Sequence, residues 1–179
     1  MEVSVSLGIP ADNFICTYPR YDDGWEVTAR PDGTLVNKAD GEEYSYLFWE
    51  AKMEVAWDMP DGFLVKGADS EEFFREKLRF LGLLPKEYNE FIVYWLPRLQ
   101  KNEYNLIRFA GAEYENAVPL EISPPPDSIL RVFMIFRKAK SDEVIPQQEL
   151  TAFERRGFAA VEWGGAEIGA SGADYVFEG

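Results

Sequence analysis

Apolar and polar positions alternate along the first third of the chain. Val3, Val5 and Leu7 alternate with Glu2, Ser4 and Ser6, which predicts a strand with one buried face. A second strand is predicted over 13–18, ending at Pro19, with Phe14, Cys16 and Tyr18 on one face and Cys16 a buried small hydrophobe. WEVTAR (25–30) gives a third, with Trp25, Val27 and Ala29 inward. Turns punctuate the pattern at PDGT (31–34), ADGEE (39–43) and PDG (60–62), where Asp bonds its own backbone and Gly accepts positive φ. YSYLFWE (44–50) is apolar on both faces and is placed centrally, whereas MEVAWDM (53–59) alternates strictly. Close spacing and Asp-Gly turns predict antiparallel meanders.

The period then changes. In ADSEEFFREKLRFLG (68–82), Phe74, Leu78 and Leu81 form a helical stripe, Asp69 and Glu72 are spaced as a capping box, and Gly82 is the expected C-terminal stop. A second helix follows at once, with Pro85 at its start and Tyr88, Phe91, Ile92, Trp95, Leu96 and Leu99 on one side. Pro97 should kink or restart it. Strands return at YNLIRFAG (104–111), PLEIS (119–123) and ILRVFMIFRK (129–138). The last is apolar on both faces and reads as central. PQQELTAFERRG (146–157) has helical spacing closed by Gly157, and GFAAVEWGG (157–165) reads as a final strand. GGAEIGASGA (164–173) reads as loose, and DYVFE (174–178) as a sheet edge or disorder.

The fold class predicted is α+β: a mostly antiparallel sheet system with a helical hairpin inserted at about 69–100 and a short helix at about 147–156. One domain is expected over 1–163, β-rich to 66, with the hairpin at 69–100, a β/α/β stretch over 103–163 and a Gly/Ala-rich tail over 164–179.

Charge narrows the chemistry. Lys and Arg number 18 against 32 Asp and Glu, a net charge of -14, which opposes nucleic acid and anionic membrane surfaces as partners. Histidine is absent from the sequence, so the usual Ser-His-Asp and Cys-His machinery and the common His-containing metal sites do not apply. Cys16 stands alone and can form no internal disulfide. No cofactor and no metal is expected, and no apolar run approaches a membrane span. The start, MEVSVSLG, has neither the basic nor the apolar region of a signal peptide and begins inside a strand pattern, which suggests a leader trimmed away.

Two Trp–Glu neighbours are the candidate ligand site: Trp49 with Glu50, and Glu162 with Trp163. An aromatic face beside a carboxylate suits a sugar ring, and two opposed carboxylates could cleave a glycosidic bond. Against this, strand neighbours point to opposite faces, so each pair would be split and structural. The Asp-Gly clusters could ligate calcium but lack EF-hand spacing, and turn chemistry explains them. Tyr94, Trp95 and Pro97 could line a pocket or form a core seam. Lys52, Lys66 and Asn116 supply the residue types of an isopeptide bond, with no spacing that marks them.

Several blocks, GWEVTARPDGTL, EYSYLFWEA, YNEFIVYWLPRLQKNEYNLIRF and RRGFAAVEWGG, resemble in order a set of uncharacterised proteins from gut and soil Firmicutes and related bacteria. The resemblance covers roughly residues 2–165. It implies an exported protein, secreted or lipoprotein-anchored, and transfers no site residue. The function expected is a non-catalytic extracytoplasmic binding or surface module for glycan or protein. The alternative is a carboxylate-dependent enzyme acting on polysaccharide.

Overall fold

The structure is a computed structural model that describes residues 1–169 and 176–178. In chain order it runs β1 (Glu2–Leu7), β2 (Phe14–Tyr18), β3 (Trp25–Ala29), β4 (Leu35–Asn37), β5 (Glu43–Tyr44), β6 (Phe48–Lys52) and β7 (Phe63–Lys66). The helical hairpin α1 (Ser70–Leu81) and α2 (Pro85–Leu99) follows, then β8 (Tyr104–Ala110), α3 (Ala112–Ala117), β9 (Leu120–Ser123), β10 (Ser128–Ala139), β11 (Ala159–Glu167) and β12 (Val176–Glu178). The strands form a five-stranded sheet, β5-β4-β3-β1-β9, and a seven-stranded sheet, β2-β6-β12-β11-β10-β8-β7. Among the described strands every ladder is antiparallel except β10–β11, which is parallel from Ser128↔Ala159 to Phe136↔Glu167, and a single parallel bridge joins Gly62 to Gln147. The fold is α+β.

The seven-stranded sheet is covered on both faces, which gives three layers. Between the sheets, Val3, Trp25 and Val27 meet Trp49, Phe133, Ile135 and Ala166. On the other face, Val132, Met134 and Phe136 meet Phe74, Leu78, Phe91 and Trp95 of the hairpin. This is why β10 is apolar on both sides: alternate residues serve two cores.

The helices obey their stripes. Phe74, Leu78 and Leu81 are buried along α1, which ends at Gly82 with φ 107°, a left-handed conformation that glycine adopts without strain. The Asp69 capping box is not made. Its side chain caps nothing, and a short 3-10 turn over Gly67–Asp69 leads into the helix instead. α2 runs through Pro97 to Leu99 as one element. The carbonyl deprived of a donor there belongs to Val93, an exposed residue, where water can take the bond.

Five expectations are corrected. Residues 147–156 form no helix. Gln148 clamps this stretch to β8, its side-chain amide donating to the Phe109 carbonyl at 2.8 Å while its oxygen accepts from the Phe109 N–H at 2.9 Å. Leu150 and Phe153 pack on the hairpin core. These tertiary contacts outweigh a weak local preference for helix. Residues 53–59 form no strand, although Met53, Val55, Trp57 and Met59 all turn inward. YSYLFWE is not one strand, because the chain leaves the five-stranded sheet at Tyr44 and enters the seven-stranded sheet at Phe48. Cys16 is exposed, because an irregularity between Phe14 and Cys16 breaks the alternation of β2. Finally, 164–167 belong to β11 rather than to a loose tail. A Cβ at Gly165 would lie 2.6 Å from the Met134 carbonyl oxygen and 2.9 Å from the Trp95 ring, so glycine lets the helix approach the sheet. Residues 170–175 and 179 of the expected tail lie outside the described residues, while β12 pairs between β11 and β6, inside the sheet.

Candidate functional site

The four nominated residues do not converge. Trp49 is 3% exposed and belongs to the core between the sheets. Trp163 is half-buried on the opposite face, edge-on to Phe91 with ring centres 5.6 Å apart. Alternation puts Glu50 on the face opposite Trp49, and Glu162 opposite Trp163. Each Trp–Glu neighbour pair is therefore divided by the sheet, and β12 lies between the two strands that carry them.

Glu162 has a different role. Parallel pairing places it in register with Arg131, whose Nε donates to Glu162 Oε2 at 2.5 Å. Their side chains are 6% and 14% exposed respectively. Arg131 Nη1 donates to the Val118 carbonyl at 2.8 Å, and the guanidinium carbon lies 4.6 Å from the centre of the Tyr114 ring. Burial works against the Arg131 charge, but the Glu162 carboxylate more than offsets it and holds the guanidinium above its usual range. Burial, followed by the Glu162 charge, pushes the Tyr114 phenol well up. This cluster ties α3 to the sheet.

The other candidates resolve similarly. Trp95 is 1% exposed and forms part of the core seam. Lys52, Lys66 and Asn116 are all exposed, so no buried trio for an isopeptide bond exists among them. In the Asp-Gly turns, Asp32 Oδ1 accepts from the Thr34 amide, and Asp40 Oδ1 from the Glu42 amide, each at 2.9 Å. Among the described residues no three carboxylate or thiol side chains gather as a metal would need. No described helix is long and apolar enough to cross a membrane.

One surface feature escaped the sequence reading. β2 and β5 are edge strands of different sheets, and their tyrosines meet there. Tyr18 and Tyr44 lie with ring centres 5.1 Å apart and planes at 71°. Tyr18 is 59% exposed, and Tyr46, in the crossing between the sheets, is 50% exposed. Beneath them Asp40 Oδ2 accepts from the Tyr44 hydroxyl at 2.8 Å and from Asn37 Nδ2 at 3.0 Å. The segment after Tyr18 is pinned from below. Trp25 Nε1 donates to the Pro19 carbonyl at 2.9 Å, the Tyr21 amide donates to Thr17 Oγ1, and the Tyr21 hydroxyl accepts from the Leu7 amide. The only sequence signal is tyrosine beside turn residues in CTYP and EYSY; which two meet depends on the chain changing sheets.

Asp40 is held below the usual carboxyl range by the Glu42 amide above all, with help from Tyr44 and Asn37. The Tyr44 phenol is in turn pushed up to about 12, chiefly by its hydrogen bond to Asp40. A raised phenol favours folding below its unfolded value of about 10 and loses that contribution as pH climbs towards about 12. In an ultraviolet titration the Tyr44 phenol should ionise at about 12. Asp40→Asn should bring it back towards about 10. A titration curve identical in the two proteins would mean that the bond to Asp40 is not made in solution.

Comparison with protein-family models, curated proteins and solved structures finds no match.

Proposed function

We propose that the protein is a non-catalytic, extracytoplasmic binding module that takes a glycan or protein ligand on its surface. The observation that carries this reading is the open tyrosine corner, in which rings stand on the rim between two sheets while the segment below them is fixed. A pre-organised aromatic surface binds with little ordering cost. The division of labour among the charged groups agrees with it. Glu162 is committed to Arg131, Glu87 to Arg155 and Glu143 to Arg137, each in an ion pair. A carboxylate locked against an arginine is a poor general acid. The extracytoplasmic setting rests on the resemblance of the sequence blocks.

The test is to offer the purified chain a glycan array and a set of polysaccharides, scoring retention and sugar release separately. Retention without release is the expected outcome. New reducing ends that accumulate in proportion to protein concentration would sink the proposal.

A further inference from the structure

We propose that the corner formed by Tyr18, Tyr44 and Asp40 is a binding site for an internal stretch of a neutral polysaccharide; this rests on the binding-module reading above. Three observations lead there. The first is ring geometry. Tyr44 is half-buried and held through its hydroxyl by Asp40, and it stands at 71° to Tyr18, which is left mostly open. A fixed ring beside an exposed one presents an apolar step against which the C–H face of a sugar can lie.

The second observation is the polar inventory around the step. Asp40 spends three acceptor positions on Glu42, Asn37 and Tyr44, of the roughly four that a carboxylate offers. The Tyr44 hydroxyl donates to Asp40 and keeps lone pairs to accept from a ligand. Tyr18, 59% exposed, carries a hydroxyl of its own. Sugar hydroxyls both donate and accept, and so fit a surface whose remaining capacity is mainly acceptor.

The third observation is charge and shape together. The chain carries a net -14, and in the segments around the two rings Asp22 is paired with Arg20 and Glu43 with Arg30, which leaves Asp40 and the exposed Glu42 as excess charge. Uronate, sialate or phosphate-bearing polymers are repelled. A small cation would be attracted, but a cation held by aromatics gains only about 0.5–1 kcal/mol at an exposed ring and needs enclosure for more. Two rings that meet at 71°, one of them 59% exposed, do not surround a small cation. Two concave regions, of about 540 Å³ beside Lys66 and residues 100–104 and of about 330 Å³ beside residues 108–112 and 148–151, lie elsewhere. A ligand here lies across the surface, as the middle of a chain can.

Affinity electrophoresis tests this, with gels containing hydroxyethylcellulose, xylan, galactomannan, soluble starch, polygalacturonate or hyaluronate. The wild type should be retarded by at least one neutral polymer and by neither acidic one. Tyr18→Ala should weaken that retardation by about tenfold or more, and Tyr18→Phe should retain most of it. The melting temperature of each variant should stay near that of the wild type, because Tyr18 is exposed. Retardation unchanged by Tyr18→Ala overturns the site and leaves a glycan-binding module standing. A wild type that ignores every polysaccharide, or binds tetramethylammonium instead, also overturns the inference. Sugar release from any polymer overturns the module reading itself.

Discussion

Glu162→Ala is expected to destabilise the fold by about 3–5 kcal/mol, although it removes no large apolar group. The reason lies in what stays behind. The Arg131 side chain is 6% exposed, and Nη2 is buried with no hydrogen-bond partner among the described residues. Its charge is tolerated because Glu162 lies 2.5 Å away on the adjacent strand. Without the carboxylate, the guanidinium must either drag water inward or displace α3, whose Tyr114 lies against it. Replacing both partners by apolar residues of similar volume, Arg131→Met with Glu162→Leu, should recover most of the loss, because neither charge then has to be desolvated. Urea midpoints for Arg131→Met, Glu162→Leu and the double variant measure this as a coupling energy. Exposed pairs such as Arg20–Asp22 offer the contrast: their removal should change stability by no more than about 1 kcal/mol. If Glu162→Ala behaves like a surface pair, the cluster is open to solvent and the account of how α3 is held fails.

Neither that pair nor the tyrosine corner could be read along the chain. Arg131 and Glu162 meet only because β10 and β11 run parallel in one particular register, and hydrophobic pattern does not specify a partner strand. The pattern did report burial. The inward series Met53, Val55, Trp57 and Met59 is correct, yet no ladder forms, because alternation records which side faces the core and not whether a neighbour supplies hydrogen bonds. The hairpin was legible because a helix satisfies its own backbone and needs only a stripe and ends. Gly82 and Pro85 supply the stop and the restart. The false helix at 147–156 shows the limit of the same logic: helical spacing was present, but Gln148 found better partners on β8. The split of each Trp–Glu pair does follow from two-residue periodicity. What the sequence concealed is that both faces of that sheet are covered, so that Glu162 is drawn into a core rather than left in water.

Phe133→Ala is the second large effect, expected at about 3–5 kcal/mol, or roughly 6–20 °C in melting temperature for a chain of this size. Phe133 is fully buried on β10, between the sheets. Its ring stacks on Tyr114 with centres 4.1 Å apart and planes at 8°, and on Trp57 at 5.4 Å and 27°. It is thus one contact on which the irregular segment at 53–59 and helix α3 both rest against the sheet. Truncation removes the ring and leaves a hole whose walls are two large aromatics anchored elsewhere, so collapse is costly. The loss should be local as well as global. Amide exchange over 112–117 should quicken more than exchange in α1 and α2, which pack on the other face of the sheet. Phe80→Ala is the control. That ring is 51% exposed on α1, and its loss should stay within about 0.5 kcal/mol. Equal melting temperatures for Phe133→Ala and Phe80→Ala, or exchange that quickens uniformly, would mean that β10 does not carry two separate cores, and the three-layer description would have to be abandoned.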